Sequence, residues 1–227
     1  GNNYGLSLID TDYGFILNPD VVLRNDTIDE IILASKKIET FSIISPIMED
    51  ENYPNYKMSE GDNSKNKKEE PFKVKSVDGF AMLLDISRLN KLENFRNKKY
   101  FDENIFLYLE NDDLCKRIIE NGENIYIIPK SKIKHLGAKA VDEKYKYEIE
   151  LSRNWHWVWS KFYFNKKHYG FLNAYIKVCP IFISATFKML LYFFINKRKK
   201  EIYLFRMLGF LNAAIGRKSF YRPKIND

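Results

Sequence analysis
Residues 178–195 constrain this chain more than any other stretch, because they are apolar except for Lys188 and a few small polar side chains, with Pro180 near the start. Eighteen residues is at the short limit for a bilayer span, and a lysine in the middle is expensive in hydrocarbon. A helix lying in a membrane interface, anchored by Lys197, Arg198, Lys199 and Lys200, fits the pattern better; a buried packing helix is its competitor. Residues 204–215 add a second apolar segment, closed by Gly216, Arg217 and Lys218.

Charge divides the chain in the same place. Residues 143–227 hold 17 Lys+Arg against 5 Asp+Glu, a net +12, whereas residues 1–142 hold 20 against 25, a net −5. Two regions follow: an α/β domain over 1–142 and a helical, basic, partly hydrophobic, membrane-associating region over 143–227. The cations flank apolar runs, which favours an anionic membrane surface over nucleic acid, since a nucleic-acid interface leaves those runs unexplained. All three tryptophans, Trp155, Trp157 and Trp159, fall in this region. Trp155 and Trp159 are four apart and share a helical face, as packing rings and interfacial belts both do. Cys115 and Cys179 have neither metal-ligand spacing nor the density of a disulfide scaffold, which suits a reducing compartment.

The first 142 residues alternate short apolar runs with polar punctuation. Residues 1–13 read as the end of a short helix, and Phe15, Ile16 and Leu17 as a buried strand that Pro19 must terminate, leaving Asn18 and Asp20 at its tip. Strand tips are where ligands bind in open α/β sheets, and a carboxylate there suits a divalent metal; Asn-Pro-Asp is equally a good turn sequence. Thr27 and Glu30 have capping-box spacing for a helix through Lys37. Residues 41–46 predict a second strand. Residues 49–71 are polar and charged and read as a mobile surface loop inserted into the domain. Asp78 and Gly79 precede an apolar run, where Gly79 permits a bulge or close approach of a ligand to the backbone. Residues 87–94 predict a short helix. Residues 124–129 predict another strand, and 131–137 a short extended segment carrying His135.

Between these lies the stretch 100–117, which sets Glu110, Asp112 and Asp113 before an amphipathic helix with Leu114, Ile118 and Ile119 on one face and Gly122 past its end. Acids at a helix start serve as caps against the helix dipole, or as catalytic carboxylates.

Taken in order, residues 17–20 (LNPD), 77–84 (VDGFAMLL), 101–115 (FDENIFLYLENDDLC) and His135 resemble the family 2 glycosyltransferases, with the rhamnosyltransferase-like bacterial members nearest; the opening residues 2–5 (NNYG) are similar to that family's N-x-G segment. The resemblance covers roughly residues 1–140. It implies the GT-A fold, a Rossmann-like sheet that binds a nucleotide-diphosphate sugar at its strand ends, usually with Mg²⁺ or Mn²⁺. By that resemblance Asp20 and His135 hold the metal, Asn3, Asn18, Asp78 and Gly79 lie against donor or acceptor, and the general base comes from Glu110, Asp113 or Asp112. Many relatives have E-D-x-D where this chain has Glu110, Asn111, Asp112 and Asp113, so Asn111 cannot serve as base and Glu110 leads. The family's first strands and base pocket are expected to precede Gly1, which predicts poor nucleotide-sugar binding by these 227 residues alone. The implied activity is transfer of a sugar to a polysaccharide or lipid-linked glycan acceptor, peripheral on the cytoplasmic side of a membrane, with an inactive membrane-bound scaffold of the same fold as the other reading.

Overall fold
The computed structural model describes residues 1–59, 69–95, 97–137 and 142–224. The chain is mixed α/β, with a sheet in its first part and a C-terminal half that is mostly helical. It forms two compact units, one of Gly1–Asp102 with Asn111–Ala140 and one of Glu103–Glu110 with Val141–Asp227.

The first unit begins with α1 (Asn2–Leu8), β1 (Tyr13–Leu17), β2 (Val21–Leu23), α2 (Thr27–Lys37) and β3 (Ile43–Met48). It continues through β4 (Tyr56–Lys57), β5 (Phe72–Lys73), β6 (Ser76–Val77), β7 (Ala81–Asp85), α3 (Ile86–Leu89), α4 (Glu110–Glu120, all but its first residue) and β8 (Ile125–His135). The main sheet runs β1-β7-β3-β8-β2 with β5 beside β8, and β4 pairs separately with β6. Among the described residues, β3 and β8 form the only parallel pair. Ile43 and Ile44 are adjacent and both fully buried, the continuous apolar pattern of a strand covered on both faces.

Strand β8 merges the two extended segments expected at 124–129 and 131–137. Its register with β3 shifts so that Pro46 faces Ile128 while Ile47 faces Lys132. Pro129, Lys130 and Ser131 therefore bulge out of the ladder, where the missing N–H of proline costs no strand bond.

The capping box expected at Thr27 does not form. Asp26 occupies the cap position of α2, and the Thr27 hydroxyl donates to the Lys132 carbonyl at 2.6 Å while accepting from the Arg24 N–H at 2.8 Å. The expected helix at 87–94 is the single turn α3 followed by a 3-10 turn at Glu93–Phe95. Residues 49–71 are in part built rather than loose: Tyr56–Lys57 pairs with β6, and Asn55 is buried. Residues 60–68 of that stretch lie outside the described residues.

Leu114, Cys115 and Ile118 of α4 are fully buried, but Ile119, expected on the same face, is 40% exposed. The helix ends as Gly122 predicts. With φ at 76°, Gly122 donates to the Ile119 carbonyl and Glu123 to the Ile118 carbonyl, the paired bonds of a Schellman motif.

The second unit contains α5 (Lys146–Tyr169), α6 (Phe171–Leu191) and α7 (Lys197–Ala214), joined by Gly170 and by residues 192–196. Contacts rise together along α5 and α7 (Tyr147 with Glu201, Asn154 with Arg206, Phe162 with Phe210), so these two run parallel. Phe182 meets Phe210 and Tyr192 meets Tyr203, so α6 runs against them. Trp155, Trp159 and Phe162 fill the seam as packing side chains. A β-carbon on Gly209 would sit 2.3 Å from the Trp155 carbonyl oxygen, so α5 and α7 touch backbone to backbone there.

The apolar run 178–195 is thus not one helix: α6 starts earlier, after the left-handed Gly170, and the run's last residues form the connection to α7. Lys188 lies with its ammonium 5.5 Å from the centre of the Tyr203 ring on α7.

Candidate functional site
Antiparallel pairing brings Asn18, Asp20, Asp78, Phe80 and His135 to one edge of the main sheet. Strand β1 ends at Leu17 opposite Ala81, the first residue of β7, so the residues after β1 and before β7 lie together. The Asn18 N–H donates to the Phe80 carbonyl at 2.9 Å. Val21 pairs with His135, and the Leu136 N–H donates to the Asp20 carbonyl at 2.9 Å. The two side chains then meet, with His135 Nε2 3.2 Å from Asp20 Oδ1. Phe80 stacks on the His135 imidazole at 4.3 Å between ring centres and 18° between planes, which fixes the orientation of the ring.

Beside this pair opens a cleft of about 790 Å³, lined by Asp78, Phe80, Lys134, His135 and Gly137 and by residues 48–50 and 52–54. That volume falls within the range of small-molecule sites. Asn55 secures the loop that walls the cleft: its buried amide accepts from the Met48 N–H at 2.9 Å and donates to the Pro46 carbonyl at 2.9 Å, while its own carbonyl accepts from the Asp78 N–H at 2.8 Å. Burial raises the Asp78 carboxyl above its ordinary range and Asp112 adds to this, against the opposing charges of Lys57 and His135.

The start of α4 is docked to the same loop. The Asn111 amide donates to the Val77 carbonyl at 2.7 Å, and a β-carbon on Gly79 would come within 3.3 Å of the Asn111 β-carbon. The close approach expected at Gly79 is therefore made by a side chain of the protein itself. Asp112 takes the Lys57 ammonium in a bidentate pair at 2.7 and 2.8 Å. Asp113 is fully buried, with Arg117 Nε 2.9 Å away, and Arg117 also donates to the Tyr100 carbonyl. Burial pushes the Cys115 thiol up to about 12, which makes it a packing group and no nucleophile.

Glu110 is the first residue of α4 and follows Tyr108 and Leu109, whose φ values of 68° and 67° place two successive non-glycine residues in the left-handed region. Each such residue costs roughly 1–2 kcal/mol, and strain of this kind concentrates at functional sites. Asn3 is tied to Phe101 instead: its amide donates to the Phe101 carbonyl and accepts from the Phe101 N–H, both at 2.8 Å. Sequence reasoning missed Lys57, Phe80 and the wall at 48–54. Phe80 carried a usable signal, being next to Gly79 at the head of a strand; Lys57 carried none.

Among the described residues no three His, Cys, Asp or Glu side chains form a group that could hold a metal ion. The Asp20–His135 pair offers one oxygen and one nitrogen donor. The carboxylate suits either Mg²⁺ or Mn²⁺ held jointly with phosphate oxygens and water, and the imidazole nitrogen makes the set a better fit for Mn²⁺ than for the harder Mg²⁺. No protein-family model matches the chain, and no curated protein matches it.

Proposed function
We propose that the α/β unit belongs to a family 2 glycosyltransferase catalytic domain of GT-A fold, rhamnosyltransferase-like, that moves a sugar from a nucleotide-diphosphate donor to a glycan or lipid-linked acceptor. The observation that carries the reading is the contact of Asp20 with His135 beside a cleft that His135 and Asp78 line, three polar residues more than fifty positions apart in sequence whose motifs, in that order, suggested the family.

In this reading the acceptor hydroxyl attacks the anomeric carbon as the bond from that carbon to the diphosphate oxygen breaks. The nucleoside diphosphate leaves with the bonding electrons, and the acceptor proton passes to a carboxylate. Asp20 and His135 would hold Mg²⁺ or Mn²⁺, which supplies charge stabilisation for the departing diphosphate. Phe80 holds the imidazole in place for that role. Asp78, with its carboxyl raised by burial, accepts or donates a hydrogen bond to a sugar hydroxyl. On its motif alone Glu110 stays the preferred base; the Arg117 pair and complete burial make Asp113 a structural acid, and Lys57 occupies Asp112.

That same pairing of two motif acids with cations favours the second reading, an inactive binding protein of this fold. Sugar transfer from labelled nucleotide-sugars by the native protein separates the two. Loss of transfer in Asp20→Ala and in Glu110→Gln supports the enzyme; transfer unchanged by both variants removes the assignment, and no transfer by the unaltered protein leaves the binding reading standing.

A further inference from the structure
The outward face of α6 carries an apolar stripe that nothing in the helical unit covers. Leu172, Ile176, Ile183, Phe187 and Leu190 recur at helical spacing and are 71%, 62%, 61%, 68% and 61% exposed. The opposite face, with Ala174, Val178 and Ala185, is buried against the other helices. The stripe continues into the connection to α7, where Phe194 is 93% and Ile195 72% exposed. Eleven of the 28 exposed large hydrophobic residues among those described lie in residues 171–195. A patch of this size marks an interaction surface.

Charge identifies what it meets. Residues 171–200 contain six cations, Lys177, Lys188, Lys197, Arg198, Lys199 and Lys200, and no carboxylate. At the exposed tip, Lys199 lies 4.9 Å over the Tyr192 ring and Lys200 5.1 Å over the Phe193 ring. Long cationic side chains beside aromatic rings at the rim of an exposed apolar surface suit a lipid headgroup layer. A second copy of this chain would set six cations against six, which the absence of acids leaves unneutralised.

Geometry also decides between lying on the bilayer and crossing it. α6 is long and apolar enough to cross by length and composition, with a mean hydropathy of 1.5. Its buried face, however, is joined to α5 and α7, which carry Arg153, Lys161, Lys166, Lys167 and Arg206; a crossing would draw these into hydrocarbon as well. We propose that the α6 stripe and the tip at Phe193–Phe194 lie in the interface of an anionic lipid surface, with Lys197, Lys199 and Lys200 on the headgroups. The proposal is independent of the transfer chemistry.

Flotation of the whole chain with vesicles tests it, using phosphatidylcholine alone and phosphatidylcholine with 30% phosphatidylserine as an arbitrary anionic fraction (~30%) that gives a surface potential of tens of millivolts. The chain is expected to float with the anionic vesicles and to be released by salt. The Phe193→Ser/Phe194→Ser variant, altered only at exposed positions and checked for unchanged helical circular dichroism, is expected to partition at least about tenfold more weakly. Lys199→Gln/Lys200→Gln is expected to weaken binding about fivefold per lysine on anionic vesicles only. Failure of the unaltered chain to float, flotation unchanged in both variants, or a stable dimer in light scattering that Ile183→Asp dissolves would overturn the proposal.

Discussion

The two units turn opposite kinds of surface to water. In the sheet unit the exposed edge is polar, and each of its groups is held by a backbone bond from a distant segment: Asn18 to Phe80, Asp20 to Leu136, Asp78 to Asn55. In the helical unit the most exposed face is apolar, and it follows from the order of residues along one helix. The contrast teaches that position is set by long-range pairing in the first unit and by local periodicity in the second. A change at the sheet edge should alter chemistry with little effect on folding. A change at the helix seam should alter folding alone.

The largest expected effect tests the first half of that statement. Asp20→Ala is expected to lower sugar transfer by roughly 10²–10³-fold, as loss of one stabilising group for a developing anion commonly does, while hydrogen exchange in β3 and β8 stays slow. Gly209→Ala is expected to do the reverse. The new β-carbon collides with the Trp155 carbonyl, an overpacking cost of about 3 kcal/mol that the roughly 1 kcal/mol gain in helix propensity offsets only in part. Amides of α5 and α7 should then exchange faster, with those of the main sheet unaffected; equal acceleration in both units would break the comparison.

The third effect is set by pH. His156 is fully buried, shares its ring nitrogens with the Tyr221 carbonyl and the Ser219 hydroxyl at 2.9 Å each, and is lowered by burial from 6.5 to about 4. Between those values the unfolded chain binds a proton that the folded chain does not, so this contribution is present above pH 6.5 and lost as pH falls towards 4. From pH 7.5 to 5 the helical unit should lose about 2 kcal/mol. All three tryptophans belong to that unit, so urea unfolding followed by tryptophan fluorescence reads it directly. His156→Gln should flatten the dependence. The smallest effect is Asn111→Ala, which leaves the Val77 carbonyl without this amide and should cost about 1 kcal/mol in the sheet unit.

What the sequence revealed follows the same contrast. The strand at Phe15, Ile16 and Leu17, its end before Pro19 and the close of α4 at Gly122 were legible because each rests on neighbours in sequence, but the expected burial of that strand is not met in full: β1 lies at the end of the sheet beside β7, and Leu17 is 40% exposed. The capping box at Thr27 failed because the hydroxyl is taken by Lys132, a partner 105 positions away that no local pattern reveals. For the same reason the salt bridges of Asp112 and the role of Asn55 were invisible. Strand β2 has three residues and pairs with β8, which leaves too short a pattern to read. The left-handed Tyr108 and Leu109 also escaped notice, since neither residue type favours that conformation. In the helical unit the apolar run was legible while its division was not, because the residues that end α6 are as apolar as those inside it.

The central claim is that Asp20 and His135 form the diphosphate end of a transfer site, and Mn²⁺ broadening of histidine resonances tests it most directly. The chain has three histidines, so their imidazole signals can be assigned one by one. With Mn²⁺ and pyrophosphate added, the account predicts that His135 broadens selectively while His156 and His168 stay sharp, and that Asp20→Ala abolishes the broadening. A His135 signal that stays sharp, or that broadens equally in Asp20→Ala, would contradict it.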